Sequence, residues 1–161
     1  MKDVEIKTNH SKFKYRVNGL VINNNRLLTL KMSNNTSYCL PGGHVELGED
    51  THTAIIREMA EELNTNVTIQ SEFAFVETFY ADKNNLKTHE LSLYYVVEPE
   101  NYDNIPLTNY TIEELDNGVL KKHNFVWLDI ADINNVDFRP SFIKEKLASN
   151  NFDFEHIIIT D

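Results

Sequence analysis

The chain has 161 residues, 41% of them hydrophobic and 25% charged, with a formal net charge of −10. That length suits one domain with a single substantial core, and the composition excludes wholesale disorder. Strong acidity without any basic stripe excludes a nucleic-acid scaffold, and no apolar run is longer than the strand-length stretch 91–97, which excludes a membrane span.

Cys39 is the only cysteine, so an intramolecular disulfide is ruled out and a reducing compartment fits. The opening Met1-Lys2-Asp3-Val4-Glu5 lacks the apolar stretch of a signal peptide. A cytoplasmic protein is expected, with residues 1–161 forming one domain, since no repeat, linker or low-complexity block divides them.

Glycine is scarce, and asparagine clusters punctuate the chain at Asn23-Asn24-Asn25, Asn34-Asn35, Asn84-Asn85, Asn134-Asn135 and Asn150-Asn151. Asparagine tolerates left-handed backbone and makes local side-chain turns. Between these clusters lie runs rich in β-branched and aromatic residues, at 15–22, 26–32, 73–80, 91–97 and 125–128, which read as strands. The asparagine triplet joins the first two as a hairpin. Residues 51–63 carry Ile56, Met59, Ala60 and Leu63 at helical spacing, with Asp50 or Thr51 as cap. A second helix follows Pro140 over 141–148, with Ser141 at its N-cap. The long helix between hairpin and later strands predicts an α/β fold with a mixed sheet. The tail 152–159 reads as a further strand or a partner-contact segment, and a homodimer stays open.

Chemistry concentrates in Gly42-Gly43-His44-Val45-Glu46-Leu47-Gly48-Glu49 and the helix after it. On that helix Glu58, Glu61 and Glu62 stand at i, i+3 and i+4, on one face. Like charges so placed repel by roughly 0.2–0.5 kcal/mol per pair. They make sense around a divalent cation, because carboxylate oxygens are the hard ligands that Mg²⁺ or Mn²⁺ prefers. Ile56, Met59 and Leu63 face elsewhere and would dock the helix. Glu49 lies near the helix start, where Arg57 could pair with it and orient the acidic comb.

Gly43, then Glu49 after five residues, then Arg57-Glu58 after seven more, then Glu61-Glu62, resembles the box of the Nudix (MutT-like) hydrolase family. The box runs over residues 43–65, and the flanking hairpin and Pro41-Gly42 fit the family's pattern as well. Asn64 and Thr65 stand where the box ends in a glycine and an aliphatic residue. Asparagine is the usual non-glycine left-handed cap, which makes Asn64 a conservative change.

The resemblance implies a three-layer α/β/α sandwich. It implies that Glu58, Glu61 and Glu62, with the Gly42 carbonyl, ligate Mg²⁺ or Mn²⁺, supported by Glu49 and Arg57. It also implies hydrolysis of a nucleoside diphosphate linked to another moiety, as in a nucleotide pyrophosphohydrolase. The partner is then a small nucleotide, with neither nucleic-acid polymer nor membrane. Glu58 could act as general base, or an acid from elsewhere among Glu90, Glu98, Glu113 and Glu114. Tyr38, Phe79 and Tyr80 are candidates for base stacking, with core packing as the competing use. His44, His52 and His89 lack metal-ligand spacing and read as polar surface, and Trp127 reads as a core anchor. A proline beyond the box would point to ADP-ribose, and Phe79-Tyr80-Ala81-Asp82 has none, so a nucleoside triphosphate or modified nucleotide is the default. A non-catalytic nucleotide-sensing module is the rival reading; the intact set of three glutamates speaks against it.

Overall fold

Neighbouring residues on the central strands point to opposite faces, and both faces are apolar. Leu28 and Tyr95 belong to one buried cluster, while Leu27 and Tyr94 belong to another. A sheet built from such strands must be covered on both sides. In the computed structural model, which describes residues 2–32, 36–82, 85–116 and 119–160 (the side chains of 114–116, 119 and 121 apart), two helices and a second sheet supply that cover.

The strands are β1 (Glu5–Lys7), β2 (Ser11–Leu20), β3 (Ile22–Asn23), β4 (Arg26–Lys31), β5 (Ser37–Cys39), β6 (Gly42–His44), β7 (Val67–Ala81), β8 (Lys87–Pro99), β9 (Tyr110–Asp116), β10 (Val119–Asp129), β11 (Asp137–Phe138) and β12 (Glu155–Thr160). One mixed sheet runs β1-β2-β8-β7-β12 with β6 also on β2; the other runs β11-β5-β4-β10-β9 with β3 on β4. In the first, β2 with β8 and β12 with β7 are parallel, and the remaining pairs are antiparallel. Helix α1 (Thr51–Leu63) buries its apolar side with Val17, Tyr95 and Val97, and α2 (Phe142–Ser149) packs with Leu20, Phe73 and Tyr94 on the opposite face. This is the three-layer α/β/α arrangement. The tail is a strand, β12, parallel to β7. No helix of the described residues is long and apolar enough to cross a membrane.

Asparagine takes over glycine's conformational role. Asn24, Asn25, Asn64, Asn85 and Asn150 all have positive φ, between 49° and 61°. Asn64 caps α1 in the left-handed conformation, its N–H donating to the Ala60 carbonyl. Asn34, Asn35 and Asn84 lie outside the described residues.

Three expectations need correction. The hairpin is confined to β3 and β4, turning at Asn24-Asn25; β2 belongs to the other sheet, so the chain changes sheets at Val21. Ile56 is 39% exposed and does not dock α1; Ala54, Ile55, Met59 and Leu63 do. The apolar stripe is rotated by one residue because a helix of 3.6 residues per turn puts 55, 59 and 63 one above another. Ser141 stands at the N-cap of α2 but is already helical and makes no side-chain cap bond.

The rotated stripe makes a direct test. Ile55→Ala should cost about 2–5 kcal/mol, the range for truncating a fully buried aliphatic residue. Ile56→Ala should stay within about 0.5 kcal/mol, as surface changes do. Urea unfolding of the two variants checks the difference.

Candidate active site

The site begins at a helix cap. Asp50 accepts from the Thr53 backbone N–H at 2.9 Å and from the Thr53 hydroxyl at 2.9 Å, which fixes the first turn of α1. From that start the helix presents Arg57, Glu58, Glu61 and Glu62 toward β6. The strand lies close because both its glycines are required. Gly42 has φ of +142°, and a Cβ there would run into the Val17 carbonyl. A Cβ on Gly43 would land on the Glu58 carboxylate. Thus Pro41-Gly42-Gly43, read from sequence as a loop, ends in a short strand pressed against α1.

Arg57 organises the carboxylates. Its Nε and Nη2 donate to the two oxygens of Glu49, each at 2.9 Å, in a bidentate fork. Nη1 donates to Glu58 Oε1 at 2.9 Å and lies 3.5 Å from Glu61 Oε2, while Nη2 also reaches the His44 carbonyl at 3.0 Å. Glu62 Oε2 accepts from the Gly42 N–H at 3.0 Å. The Glu49 side chain is only 7% exposed and that of Glu58 15%, whereas Glu61 is 59% exposed. The paired Arg57 guanidinium holds the Glu49 carboxyl below the usual carboxylate range. Burial pushes Glu58 the other way, upward, with Arg57 opposing that rise.

These groups line a cavity of about 680 Å³. Its wall holds Glu58, Glu61 and Glu62 with Gly42, the four groups the sequence singles out for a metal, and also Asp3, Arg16, Glu46, Ile112, Glu113 and His123, which the sequence left unmarked or marked only as one acid among several. Glu49 stands behind the wall, reached through Arg57. Among the described residues no three His, Cys, Asp or Glu side chains are already gathered around one point in metal-binding geometry. The reason is visible: Glu58 is turned to Arg57 and Glu62 to the Gly42 N–H, while Glu61 reaches solvent. The donor set nevertheless fits a hard divalent cation, being carboxylate oxygens plus a backbone carbonyl on one wall. A buried carboxyl such as Glu58 is also one that a cation would stabilise in its charged form.

Of the four acids considered as general base, Glu113 lines the cavity and pairs with Lys122 at 2.8 Å. Glu90 is engaged by Lys14 and by the Ser92 hydroxyl, Glu98 is exposed near the end of β8, and the Glu114 side chain lies outside the described residues. His44 is not a surface residue: it is half-buried in the cavity wall, its imidazole pKa lowered by burial and by Arg16. His52 is exposed, with its ring edge-on to Tyr95, and His89 stacks on Phe79. Phe79 and Tyr80 line a separate depression with Phe13 and His89, and Tyr38 sits under Lys31, so none of the three stacking candidates faces this cavity. Trp127 is the expected core anchor, its indole N–H donating to the Pro106 carbonyl at 2.9 Å. Burial pushes the Cys39 thiol up to about 11, which makes it an inert thiol at neutral pH.

The NUDIX domain family model matches residues 12–145. An ADP-ribose pyrophosphatase from Methanocaldococcus jannaschii is 27% identical over 85 residues, covering 51% of this chain and 48% of the relative, so the match spans about half the length of each protein. Among solved structures, a NUDIX hydrolase from Nitrosomonas europaea superposes with a TM-score of 0.62 at 17% identity, covering 97% of this chain and 82% of that one. A MutT protein from Bacillus halodurans gives 0.61 at 14% identity over 91% and 89%, and the Ap4A hydrolase of C. elegans gives 0.54 at 22% over 86% and 94%. At such identities the superpositions show a shared fold.

The Arg57 fork predicts a pH and mutation signature without any substrate. Because the Glu49 pKa is lowered in the folded protein, its stabilisation is full above the ordinary glutamate value and is lost as pH falls through the lowered one. Glu49→Gln should cost about 1–3 kcal/mol at neutral pH, the range for disrupting a buried charged hydrogen bond, and should flatten that acid limb. Glu61→Gln should leave stability within about 0.5 kcal/mol, being exposed. Denaturant melts across pH, in chelator, measure both.

Proposed function

Because the chain belongs to the Nudix family, we propose that residues 1–161 work as one domain that hydrolyses the diphosphate linkage of a nucleoside diphosphate derivative with the help of a divalent cation. The observation carrying this reading is the cavity wall itself: three helix carboxylates and the Gly42 peptide face one space large enough for a small phosphorylated ligand. Glu58, Glu61, Glu62 and the Gly42 carbonyl would hold Mg²⁺, or Mn²⁺ in its place. The cation supplies charge neutralisation and a more acidic bound water. Arg57 and Glu49 keep the carboxylates aimed. Glu58 would accept a proton from the attacking water, or Glu113 would, since of the four alternatives it is the one that lines the cavity among the described residues.

An ADP-ribose-type compound joins nucleoside triphosphates as a substrate to test first, since the one curated relative described above is named for it and so is a structural neighbour from Streptococcus suis. The proline expected for that class is absent, which keeps a different nucleoside diphosphate derivative in view. A cytoplasmic setting accords with the free Cys39.

Hydrolysis should vanish in excess chelator and return with Mg²⁺ or Mn²⁺. Glu61→Gln and Glu62→Gln should each lower turnover by orders of magnitude while the protein melts no earlier than wild type in chelator, because each removes a like charge from the helix face. A panel of nucleoside triphosphates, nucleotide sugars, dinucleoside polyphosphates and ADP-ribose, with products resolved by anion exchange, identifies the linkage cut. Undiminished turnover in Glu62→Gln would remove the carboxylate face from the mechanism. A wild-type protein that binds a nucleotide tightly and cuts none would favour the sensor reading.

A further inference from the structure

We propose that Arg16 is a substrate-binding residue whose guanidinium receives a phosphoryl group of the diphosphate inside the cavity. The inference rests on the reading of that cavity as a diphosphate-cleaving site. It starts from an electrostatic anomaly. Arg16 lies on β2 in a chain of net charge −10, lines the cavity, and donates from Nη2 to the Gly42 carbonyl at 3.3 Å. Its Nε is buried with no hydrogen-bond partner, and among the described residues it forms no ion pair. A guanidinium offers five N–H donors in a fixed fork, and leaving them desolvated and unanswered is costly.

Three other cations that face inward have anionic partners. Arg57 takes the Glu49 carboxylate with both oxygens. Lys146 meets Glu155 at 2.9 Å and the Asp153 carbonyl at 3.0 Å. Lys14 has Glu90 at 3.5 Å and the Tyr80 hydroxyl at 3.2 Å. Glu90 and Glu62 favour the charged guanidinium through space, but their hydrogen bonds go elsewhere: Glu90 to Lys14 and Ser92, and Glu62 to the Gly42 N–H. The partner Arg16 lacks is therefore an anion arriving from the cavity.

The chemistry of that anion follows from the fork. Parallel N–H groups match two oxygens of one phosphoryl group, and a weakly hydrated guanidinium is suited to a desolvated pocket. Placement adds to this. Arg16 and Glu62 bond to the two ends of the Gly42 residue, Arg16 at its carbonyl and Glu62 at its N–H. A cation held by Glu62 and an anion held by Arg16 would therefore be neighbours, as a diphosphate bound to both requires. The competing use of Arg16 is to buttress the Gly42 carbonyl alone, and binding measurements separate the two.

Titration calorimetry with α,β-methylene ADP in Mg²⁺, with adenosine, and with Mg²⁺ alone is the test, applied to wild type, Arg16→Gln and Arg16→Lys. Loss of a charged hydrogen-bonding partner should weaken α,β-methylene ADP by about ten- to a hundredfold in Arg16→Gln. Arg16→Lys, a point charge without the fork, should recover part of it, while adenosine affinity stays at the wild-type level in both and Mg²⁺ affinity falls in neither, since losing a cation beside the Gly42 carbonyl lowers repulsion of the metal. Wild-type affinity for the methylene analogue in Arg16→Gln overturns the proposal, and so does an equal loss of Mg²⁺ affinity, which would mark a residue that only positions Gly42. Should Arg16→Gln fail to fold, unchanged analogue binding by Arg16→Lys overturns it by itself, because the fork is what that variant lacks. A wild-type protein that neither binds the analogue nor hydrolyses any diphosphate overturns the functional reading together with this one.

Discussion

One guanidinium holds the site together. Arg57 is bonded to Glu49 on the loop, to Glu58 beside it on the helix, to Glu61 one turn on, and to the His44 carbonyl on β6. Without it, four carboxylates would crowd one side of α1 with only Arg16 nearby to offset their repulsion. With it, the loop, the strand and the helix are cross-linked through a single rigid group whose donors point in fixed directions. The glycines complete the constraint. Glu58 occupies the space a side chain at 43 would need, so the helix and β6 can approach only if that position is bare. The spacing from Gly43 through Glu49 to Arg57 and Glu58 is thus a statement about distance: each residue is there because another one reaches it.

That local logic explains what could be read from the sequence. The Asp50 cap, the left-handed Asn64 and the Glu49–Arg57 pair all join residues within one helix or the loop that enters it, and spacing alone brings them together. The rest of the cavity wall has no such signal. Arg16 meets the site because β2 pairs with β6, placing it opposite His44. Ile112, Glu113 and His123 arrive because β9 and β10 pair, with His123 opposite Ile112. Such registers depend on which strands become neighbours, and periodicity within a strand does not carry that information. The same gap explains the hairpin. Residues 15–22 read as one extended run rich in β-branched and aromatic residues, and only the assembled sheets show that β2 and β3 serve different ones.

The Ile55 and Ile56 pair shows a finer limit. Two adjacent aliphatic residues in a helix both satisfy an apolar stripe read at low precision, yet they differ by 100° around the axis. Packing decides between them, here in favour of the residue that stacks with Met59 and Leu63. The residue displaced from the core stays on the rim at no great cost, because a singly exposed aliphatic side chain is ordinary on a protein surface.

Charge sets the order of events that the proposed chemistry must follow. The cavity wall carries Asp3, Glu46, Glu58, Glu61, Glu62 and Glu113 against Arg16 and Arg57, and Arg57 is already saturated by Glu49 and Glu58. Two like charges 4 Å apart repel by about 4 kcal/mol at an effective dielectric near 20. A diphosphate meeting that wall bare would therefore be turned away, whatever the fit of its nucleoside. A divalent cation held by Glu58, Glu61 and Glu62 would offset that local charge. It would also compete with Arg57 for Glu58 and with the Gly42 N–H for Glu62, the two contacts that now hold those carboxylates apart. A metal at this site would gather its ligands as it bound, and Arg16, whose Nε has no partner among the described residues, is the cation we propose would meet the substrate that follows.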